Sequence, residues 1–504
     1  MLQWDEVDYI VAARQGLLAN ALDVTSLPLS QFLALALAKA QGMPPSPLPP
    51  GYSEATDLFH LRHFHPPLLQ YLGAIQGLVP AENIRLATRL AFGLRWFCGA
   101  SLILAAQLIS HASFGRLQHP LSLCLQAAIV LNAALLLSLA VQYHVLIAIS
   151  LLLVAFCLTR SLQCQLRISW LLLSVSLAFA ILSLETSLVV VAVSFAIAVA
   201  HGLLRTRSQW RQTLQRAGLY ILLLPYGISF LLWPASLAKL SLVRTTAMYV
   251  YRILWVKEEY ASVFSLATLQ GLLIVLAPLG LIALTSLVLM LSLMLGKPRS
   301  QSHTDRLPMA VFSLIGLSYS ACMVPFVLNT TYILPGLLLV CLPLPRLLDD
   351  LSSAGIFLSL GFISLVVASS VHSLKPYHQT AATSYPGWSA LPTLSGLLQA
   401  PARGVQQPFT IYADGGHIFR FYIPDYSSRI IDISRIDQSR EPQETTRLMT
   451  RKNLEYVELQ ADQLQRPAML ILRERSAAAF AHLPFPCQTT KVSGLQGSVA
   501  CLVP

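Results

Sequence analysis

The sequence has 504 residues, of which 55% are hydrophobic and only 11% are charged, and its mean hydropathy is +0.62. A soluble domain carries about 25% charged residues, so this composition excludes an ordinary soluble protein and indicates a polytopic membrane protein. The net charge of +11 comes from arginines that cluster between apolar segments, which indicates basic loops on one side of a membrane rather than a nucleic-acid surface.

The charges divide the chain into three parts. Residues 376–504 hold 22 of the 57 charged side chains, which predicts a soluble domain there. Residues 88–375 are mostly apolar and predict a multi-span membrane domain. Residues 1–87 carry seven acidic residues against four Lys or Arg. They predict a first outer loop with amphipathic helices lying along the membrane face, because their apolar stretches are short for a crossing.

Ten apolar segments predict crossings, since a membrane helix needs about 20 mostly apolar residues. They lie near 90–110, 120–140, 145–159, 169–184, 187–204, 217–235, 268–295, 309–327, 330–346 and 352–371. The loops 205–216 and 296–306 are net basic, which places them in the cytoplasm. Segment 1–87, the loop 236–262 and the tail after residue 371 then lie outside.

An even number of crossings places both ends of the chain on the same side. Translocation of the net acidic segment 1–87 without a preceding span is difficult, so we expect a first helix upstream of Met1. An inverted topology is the alternative.

The tail shows the pattern of a small α/β domain. Residues 408–434 predict a strand, a turn and a strand, and 451–465 predict a helix. Residues 467–475 predict a buried strand, and 487–503 a terminal hairpin. Outside the cytoplasm, a disulfide between Cys487 and Cys501 across that hairpin is expected.

Several polar groups near the predicted outer face are candidates for chemistry. Asp5 and Glu6 form an acidic pair at the start of a predicted helix. They suit a general base or a metal ligand, but a solvated surface or a helix cap explains them as well. Arg62 and His65 belong to a cationic cluster in "HLRHFHPPLLQYL" that suits a phosphate headgroup, with a zinc site or a solvated interface as alternatives.

Two further candidates lie between predicted spans. Glu185 stands in "LSLETSL", and ionisable residues at membrane depth are costly and usually functional, although a water-exposed helix end is the alternative. The loop 238–260 mixes Arg244 and Arg252 with aromatic residues. This mixture suits an anionic lipid headgroup, and an interfacial aromatic belt explains it almost as well.

Five elements, taken in order along the chain, resemble the membrane-embedded glycosyltransferases with a C-type fold, such as the protein O-mannosyltransferases and the bacterial aminoarabinose transferases. The elements are "WDEVDYIVAAR", "HFHPPLLQYLGA", "NIRLATRLAFGL", "LETSLVVVAV" and "FYIPD". Each element taken alone is weak evidence for the family, and the resemblance depends on the order of the five elements along the chain. Enzymes of this family move a sugar from a polyprenyl-phosphate carrier to an acceptor outside the cytoplasm.

The resemblance assigns the catalytic carboxylate to Asp5, with Glu6 beside it, which would orient the acceptor and take its proton. Candidates for binding the substrate and stabilising the lipid phosphate are Tyr9, Arg62, His65, Arg85, Glu185, Arg244 and Arg252. His65 stands where the family has Lys, so its charge would depend on pH. Residues 141–145 offer no second acid. We therefore expect metal-independent chemistry, or a divalent-metal site completed by Glu185.

The resemblance also implies the partners and the location. The donor would be a polyprenyl-phosphate-linked sugar and the acceptor a glycan, a lipid or a protein, with membrane lipids as further partners and no nucleic acid. The protein would lie in a bacterial inner membrane, with its active site and C-terminal domain extracytoplasmic. A transporter or flippase, which predicts internal repeats and broken helices, and a non-catalytic scaffold of the same fold are the alternative classes.

Overall fold

The computed structural model describes a helical part and a set of strands. The described helical part comprises 68–79, 84–139, 142–204, 207–234, 266–295, 303–323 and 332–384. The described strands comprise 410–413, 430–437, 447–452, 455–459, 468–473, 488–491 and 498–503.

Apolar helices dominate the helical part because long runs of Leu, Ile, Val and Ala alternate with short polar or Gly- and Pro-containing stretches. The helices are α1 Leu68–Leu72, α2 Ile84–Phe114, α3 Pro120–Leu139, α4 Gln142–Cys164, α5 Arg167–Ser183, α6 Leu188–Leu203, α7 Arg207–Ala217, α8 Leu224–Leu232, α9 Leu266–Leu295, α10 His303–Met323, α11 Leu334–Cys341, α12 Leu344–Asp349 and α13 Ser352–Ser384. Short 3₁₀ turns cover Ala74–Leu78 and Glu185–Ser187, and a π-helical stretch, Gly218–Leu223, joins α7 to α8.

Six helices within the described residues are long and apolar enough to cross a membrane. They contain Arg89–Phe114, Pro120–Leu137, His144–Cys164, Trp210–Leu232, Arg306–Met323 and Ser353–Val371. Three shorter apolar helices are Arg167–Ser183, Leu188–Leu203 and Ala277–Leu293. A helical protein that can span a membrane is therefore confirmed, whereas the count of ten crossings stays a prediction.

The predicted crossing at 330–346 is wrong as a single helix. The chain forms α11 and α12, with a break at Leu342 and Pro343 between them. Proline has no backbone N–H, so Pro343 and Pro345 cannot continue the hydrogen-bond ladder of α11. Leucines continue on both sides of the break, which is why the hydropathy of the predicted segment 330–346 does not reveal it.

Helix α4 lies at the centre of the bundle. It packs against α2, α5, α10 and α11, and 78% of its apolar window is buried, against 22–56% for the other candidate spans. Such a helix is apolar all round. Its hydroxyl groups stay satisfied because Ser150, Thr159 and Ser161 each donate a hydrogen bond of 2.7 Å to a carbonyl one turn earlier.

Helices α10 and α11 touch through their backbones. A Cβ atom built on Gly316 would stand 2.5 Å from the carbonyl oxygen of Gly336, and one built on Gly336 would stand 2.5 Å from the carbonyl oxygen of Gly316. Ser320 Oγ also meets the position of a Cβ on Gly336. Small residues at such contacts let membrane helices approach closely. The two glycines therefore fix how α10 lies on α11.

The strands form one seven-stranded sheet in the order β4-β3-β2-β1-β5-β7-β6. Their bounds are β1 Thr410–Ala413, β2 Ile430–Asp437, β3 Arg447–Lys452, β4 Glu455–Leu459, β5 Ala468–Arg473, β6 Gln488–Lys491 and β7 Ser498–Val503. Strand β1 pairs in parallel with β2 and with β5, and the other pairs are antiparallel. The described part of β5 is buried.

Two predictions in the tail are confirmed and two need correction. The buried strand within 467–475 is β5, and the terminal hairpin within 487–503 is the antiparallel pair β6 and β7. The predicted helix at 451–465 is wrong for its first part, because β4 pairs with β3 there, Leu459 opposite Leu448. Strands β1 and β2 are parallel and so do not form the simple strand–turn–strand unit that 408–434 indicates.

Asp349 joins α12 to the beginning of α3. Its carboxylate oxygens accept hydrogen bonds from the backbone N–H groups of Gln118 (2.8 Å) and His119 (2.9 Å), and its side chain is 2% exposed. Burial alone raises the pKa of Asp349, but these N–H groups, the Ser122 hydroxyl and the Arg346 guanidinium outweigh it and lower the pKa below the ordinary 3.8.

We expect Gly336→Ala to lower the stability of the helical part by about 1–3 kcal/mol, because the new methyl group meets backbone on α10. The measurement is thermal unfolding in detergent. The matched control is Gly361→Ala, since a Cβ on Gly361 has no heavy atom within 4 Å. An equal loss in the two variants would contradict the close contact.

We expect Asp349→Ala to cost about 2 kcal/mol, because two backbone N–H groups lose a charged acceptor. Asp350→Ala is the control, since the Asp350 side chain is 34% exposed and its ion pair with Arg346 is worth about 0–1 kcal/mol. The pKa of Asp349 is lower in the folded state than its ordinary value of 3.8. The ionised carboxylate therefore contributes its full stabilisation of the fold above pH 3.8, and this stabilisation is lost as the pH falls through the folded-state pKa. Unfolding measured across this acid range should show a shallower loss for Asp349→Ala than for the unchanged chain.

Candidate functional site

Helix α1 lies against the end of α5 and the end of α8. Leu68 packs on the buried pair formed by Leu182 and Trp233. Beside it, the Tyr71 hydroxyl donates a 2.6 Å hydrogen bond to the Leu232 carbonyl oxygen. Three segments far apart in sequence thus meet at one end of the described bundle.

The turn Glu185–Ser187 belongs to this end. The hydroxyls of Thr186 and Tyr319 lie 3.1 Å apart and are hydrogen-bonded, with Tyr319 fully buried and Thr186 8% exposed. The Ser187 N–H also donates to the Leu184 carbonyl at 3.1 Å. These bonds fix the backbone of Glu185 between α5 and α6. The structure describes the backbone of Glu185 and not its side chain.

His144, in the first turn of α4, is fully buried at the same end. Its ring meets the ring of Tyr332 edge to face, with centroids 4.5 Å apart and an interplanar angle of 82°. Aromatic pairs prefer this geometry because the positive edge of one ring faces the negative face of the other. We call this end of the bundle, defined by His144, Thr186, Tyr319 and Tyr332, the His144 end.

The predicted site residues are described to different degrees. Arg85 lies in the first turn of α2 and Cys501 in β7 opposite Thr489, both described by their backbone. The remaining predicted residues lie outside the described residues: Asp5, Glu6, Tyr9, Arg62, His65, Arg244, Arg252 and Cys487. Their roles, and the disulfide, stay predictions.

Sequence reasoning missed Thr186, Tyr319 and Tyr332, whose hydroxyl and aromatic contacts hold the His144 end together. Tyr319 and Thr186 lie 133 positions apart, and no pattern in either segment indicates that the two residues are in contact. The sequence offers one weak signal for this contact. A Tyr stands near the end of an apparent span that otherwise consists of aliphatic and small residues, and the hydroxyl of a buried Tyr usually has a hydrogen-bond partner.

Metal binding receives no support from the described residues. Within the described part of the chain, no three His, Cys, Asp or Glu side chains form a group that could hold a metal ion. Asp5 and Glu6 lie outside that part, so metal-independent chemistry stays a prediction.

The fold and the His144 end define a class: a helical protein able to span a membrane, with a polar and aromatic cluster at one end of its helices. No protein-family model and no curated protein matches this chain. The glycosyltransferase resemblance therefore rests on the order of the sequence elements alone.

We expect Tyr71→Phe to lower the free energy of unfolding by about 0.5–1.5 kcal/mol, because the Leu232 carbonyl at the end of α8 loses its hydrogen-bond donor. Burial raises the pKa of Tyr71 from 10.0 to about 12. The neutral phenol therefore contributes its full stabilisation of the fold at neutral pH, and this stabilisation is lost as the pH rises from 10.0 towards the folded-state pKa.

Thermal unfolding at neutral pH checks this expectation. Tyr226→Phe is the control, since Tyr226 is 38% exposed and its hydroxyl has no hydrogen bond among the described residues. Equal unfolding temperatures for Tyr71→Phe and the unchanged chain would contradict a stabilising role for this bond.

Proposed function

We propose that this protein is a glycosyltransferase that moves a sugar, with inversion, from a polyprenyl-phosphate carrier to an acceptor outside the cytoplasm. The observation that supports the proposal best is the contact of Leu68 with Leu182 and Trp233. It joins two of the segments in which the resemblance expects substrate-binding residues to the end of the helix that precedes the third.

Chain connectivity strengthens this support. His65 lies three positions before Leu68 in the sequence, and Glu185 lies three positions after Leu182. Three steps of the chain span at most about 10 Å, so neither candidate is far along the chain from the contact of Leu68 with Leu182. The loop 238–260, with Arg244 and Arg252, is the next predicted outer loop after Trp233 in sequence. A site that binds a charged lipid phosphate and a polar sugar requires such convergence.

The proposed reaction is a single displacement. The acceptor oxygen attacks the anomeric carbon while the bond from that carbon to the phosphate oxygen breaks. Asp5, with Glu6 beside it, takes the acceptor's proton, and the polyprenyl phosphate leaves with the bonding electron pair. Cations stabilise the negative charge that develops on the leaving phosphate. The proposed cations are Arg62, His65, Arg85, Arg244 and Arg252, and Tyr9 and Glu185 are proposed to orient the substrates.

The proposal includes a topology. We infer ten crossings in a bacterial inner membrane, with 1–87 and the sheet-containing tail 376–504 outside. The contacts at the His144 end support it, because the turn that holds Glu185, Tyr319 near the end of α10 and Tyr332 just before α11 lie at one end of the helices.

The break between α11 and α12 is the feature that a transporter would use, since transporters bind substrates at the ends of broken helices. Here Leu338, Leu342 and Leu344 around the break are at most 1% exposed. Such apolar, buried helix ends do not favour substrate binding, so we retain the transferase as the proposed function.

We expect Asp5→Asn to lower sugar transfer by about 10²–10⁴-fold, the usual contribution of a positioned general base. The assay uses the full chain in liposomes with a radiolabelled polyprenyl-phosphate sugar, and it follows the label into the acceptor fraction. Asp8→Asn is the matched control, an acid three residues away with no proposed role. Retained transfer in a folded Asp5→Asn variant would falsify the assignment of the base.

A further inference from the structure

At the end opposite to the His144 end, the described helices enclose a cavity of about 730 Å³. Its walls come from the ends of α2, α4 and α9, the beginning of α10 and the short helix α12. Four arginines face it: Arg116, Arg160, Arg306 and Arg346. We call it the arginine cavity. The volume lies within the range of about 300–1,000 Å³ that is typical of small-molecule sites.

The charge of the arginine cavity is poorly balanced. Arg346 forms ion pairs with Asp349 (3.7 Å) and Asp350 (3.3 Å). Among the described residues, no carboxylate lies within ion-pair distance of Arg116, Arg160 or Arg306. Asp350 also lines the cavity, so the described lining has four arginines against one carboxylate and keeps an excess of positive charge. In a partly enclosed space a charge interacts more strongly than in open water.

Arg306 gives the clearest sign of a ligand. Its Nε atom is buried and has no hydrogen-bond acceptor among the described residues. A guanidinium nitrogen is always protonated and only donates hydrogen bonds. A buried donor without an acceptor is costly, and an anion in the cavity removes that cost.

Arg160 is held in position on the opposite wall. Its guanidinium lies over the ring of Phe156, 5.4 Å from the centroid, and it donates a 2.9 Å hydrogen bond to the Ala112 carbonyl oxygen. A stacked and hydrogen-bonded arginine loses little freedom when it binds a further acceptor. Arginine forks match the oxygen geometry of phosphate groups.

Part of the cavity wall is apolar. The cavity as a whole lies at the level where several of the apolar helices begin or end. Phe114, Leu293 and Met309 line it together with the arginines. Candidate spans end at Phe114 and begin at Arg306, so the cavity lies where helices would leave the hydrocarbon region. A ligand with a charged head beside an apolar group fits such a boundary.

We propose that the arginine cavity binds a phosphate-bearing anion, distinct from the donor at the His144 end. The ligand presents a phosphate group that the guanidinium groups of Arg160 and Arg306 bind. This phosphate belongs either to the headgroup of an anionic lipid or to free inorganic phosphate. This proposal does not rest on the proposed transferase activity, because it uses only the cavity and its own side chains.

Basic residues at a helix end also follow from membrane topology, because cytoplasmic loops are rich in Lys and Arg. That explanation predicts a diffuse attraction to anionic surfaces, to which every arginine at this end contributes similarly. Arg167 separates the two explanations, since it is exposed at the beginning of α5 and does not line the cavity.

The test uses the full chain purified in a neutral detergent and measures its thermal unfolding temperature during titration. One arm adds short-chain phosphatidylglycerol, with phosphatidylcholine of the same chain length as its reference. The other arm adds inorganic phosphate, with chloride at the same ionic strength as its reference. Binding to the folded chain raises the unfolding temperature with ligand concentration and gives an apparent affinity.

We expect one of the two phosphate-bearing probes to stabilise the chain beyond its reference, and Arg306→Gln to weaken that apparent affinity about tenfold or more. Arg167→Gln should leave it essentially unchanged. Stabilisation by phosphatidylglycerol alone assigns a lipid headgroup, and stabilisation by inorganic phosphate assigns the free anion.

Equal weakening by Arg306→Gln and Arg167→Gln would overturn the site and leave only a diffuse surface charge, and so would the absence of stabilisation by either probe. Because Arg306 is partly buried, its variant can fail to fold. Arg160→Gln then provides the comparison, since Arg160 is exposed and faces the same cavity.

Discussion

The backbone contact between α10 and α11 fixes both ends of the described bundle. Gly316 and Gly336 approach so closely that neither has room for a Cβ atom. Helix α10 carries Tyr319 to one end and Arg306 to the other, and the broken pass of α11 and α12 carries Arg346 to the second end. A shift at the glycines would therefore disturb the His144 end and the arginine cavity together, because packed helices move as rigid elements.

Polar side chains inside the bundle differ in what they bond to. Thr159 and Ser161 bond to carbonyls of their own helix, and those bonds specify nothing about neighbouring helices. A few bonds cross between helices, such as Asn132 Nδ2 to Ser370 Oγ at 2.6 Å and Gln126 Nε2 to Gln107 Oε1 at 2.9 Å. Interhelical bonds in apolar surroundings are each worth only about 0.6–2 kcal/mol. Their main effect is to select one register among apolar surfaces that would otherwise slide.

The sequence predicted the apolar helices well, because the length of a crossing is set by a physical distance that hydropathy measures directly. It failed at Pro343, where two short helices share one apolar pattern, and at β4, where pairing with β3 overrides a helical pattern. For the candidate site, it identified segments around Glu185 and His65 but not what joins them. The contact of Leu68 with Leu182 joins residues far apart in sequence and has no local signature.

The sequence by itself determined that this is a helical protein able to span a membrane, with basic loops between its apolar segments, because composition and run length act locally along the chain. Only the tertiary structure decided which segments lie together at the same end of the helical bundle. It brought Leu68 onto Trp233 and gathered four arginines around one cavity, Arg306 and Arg160 among them. The reason is that these groupings depend on the directions and close contacts of helices far apart in sequence, which no local pattern encodes.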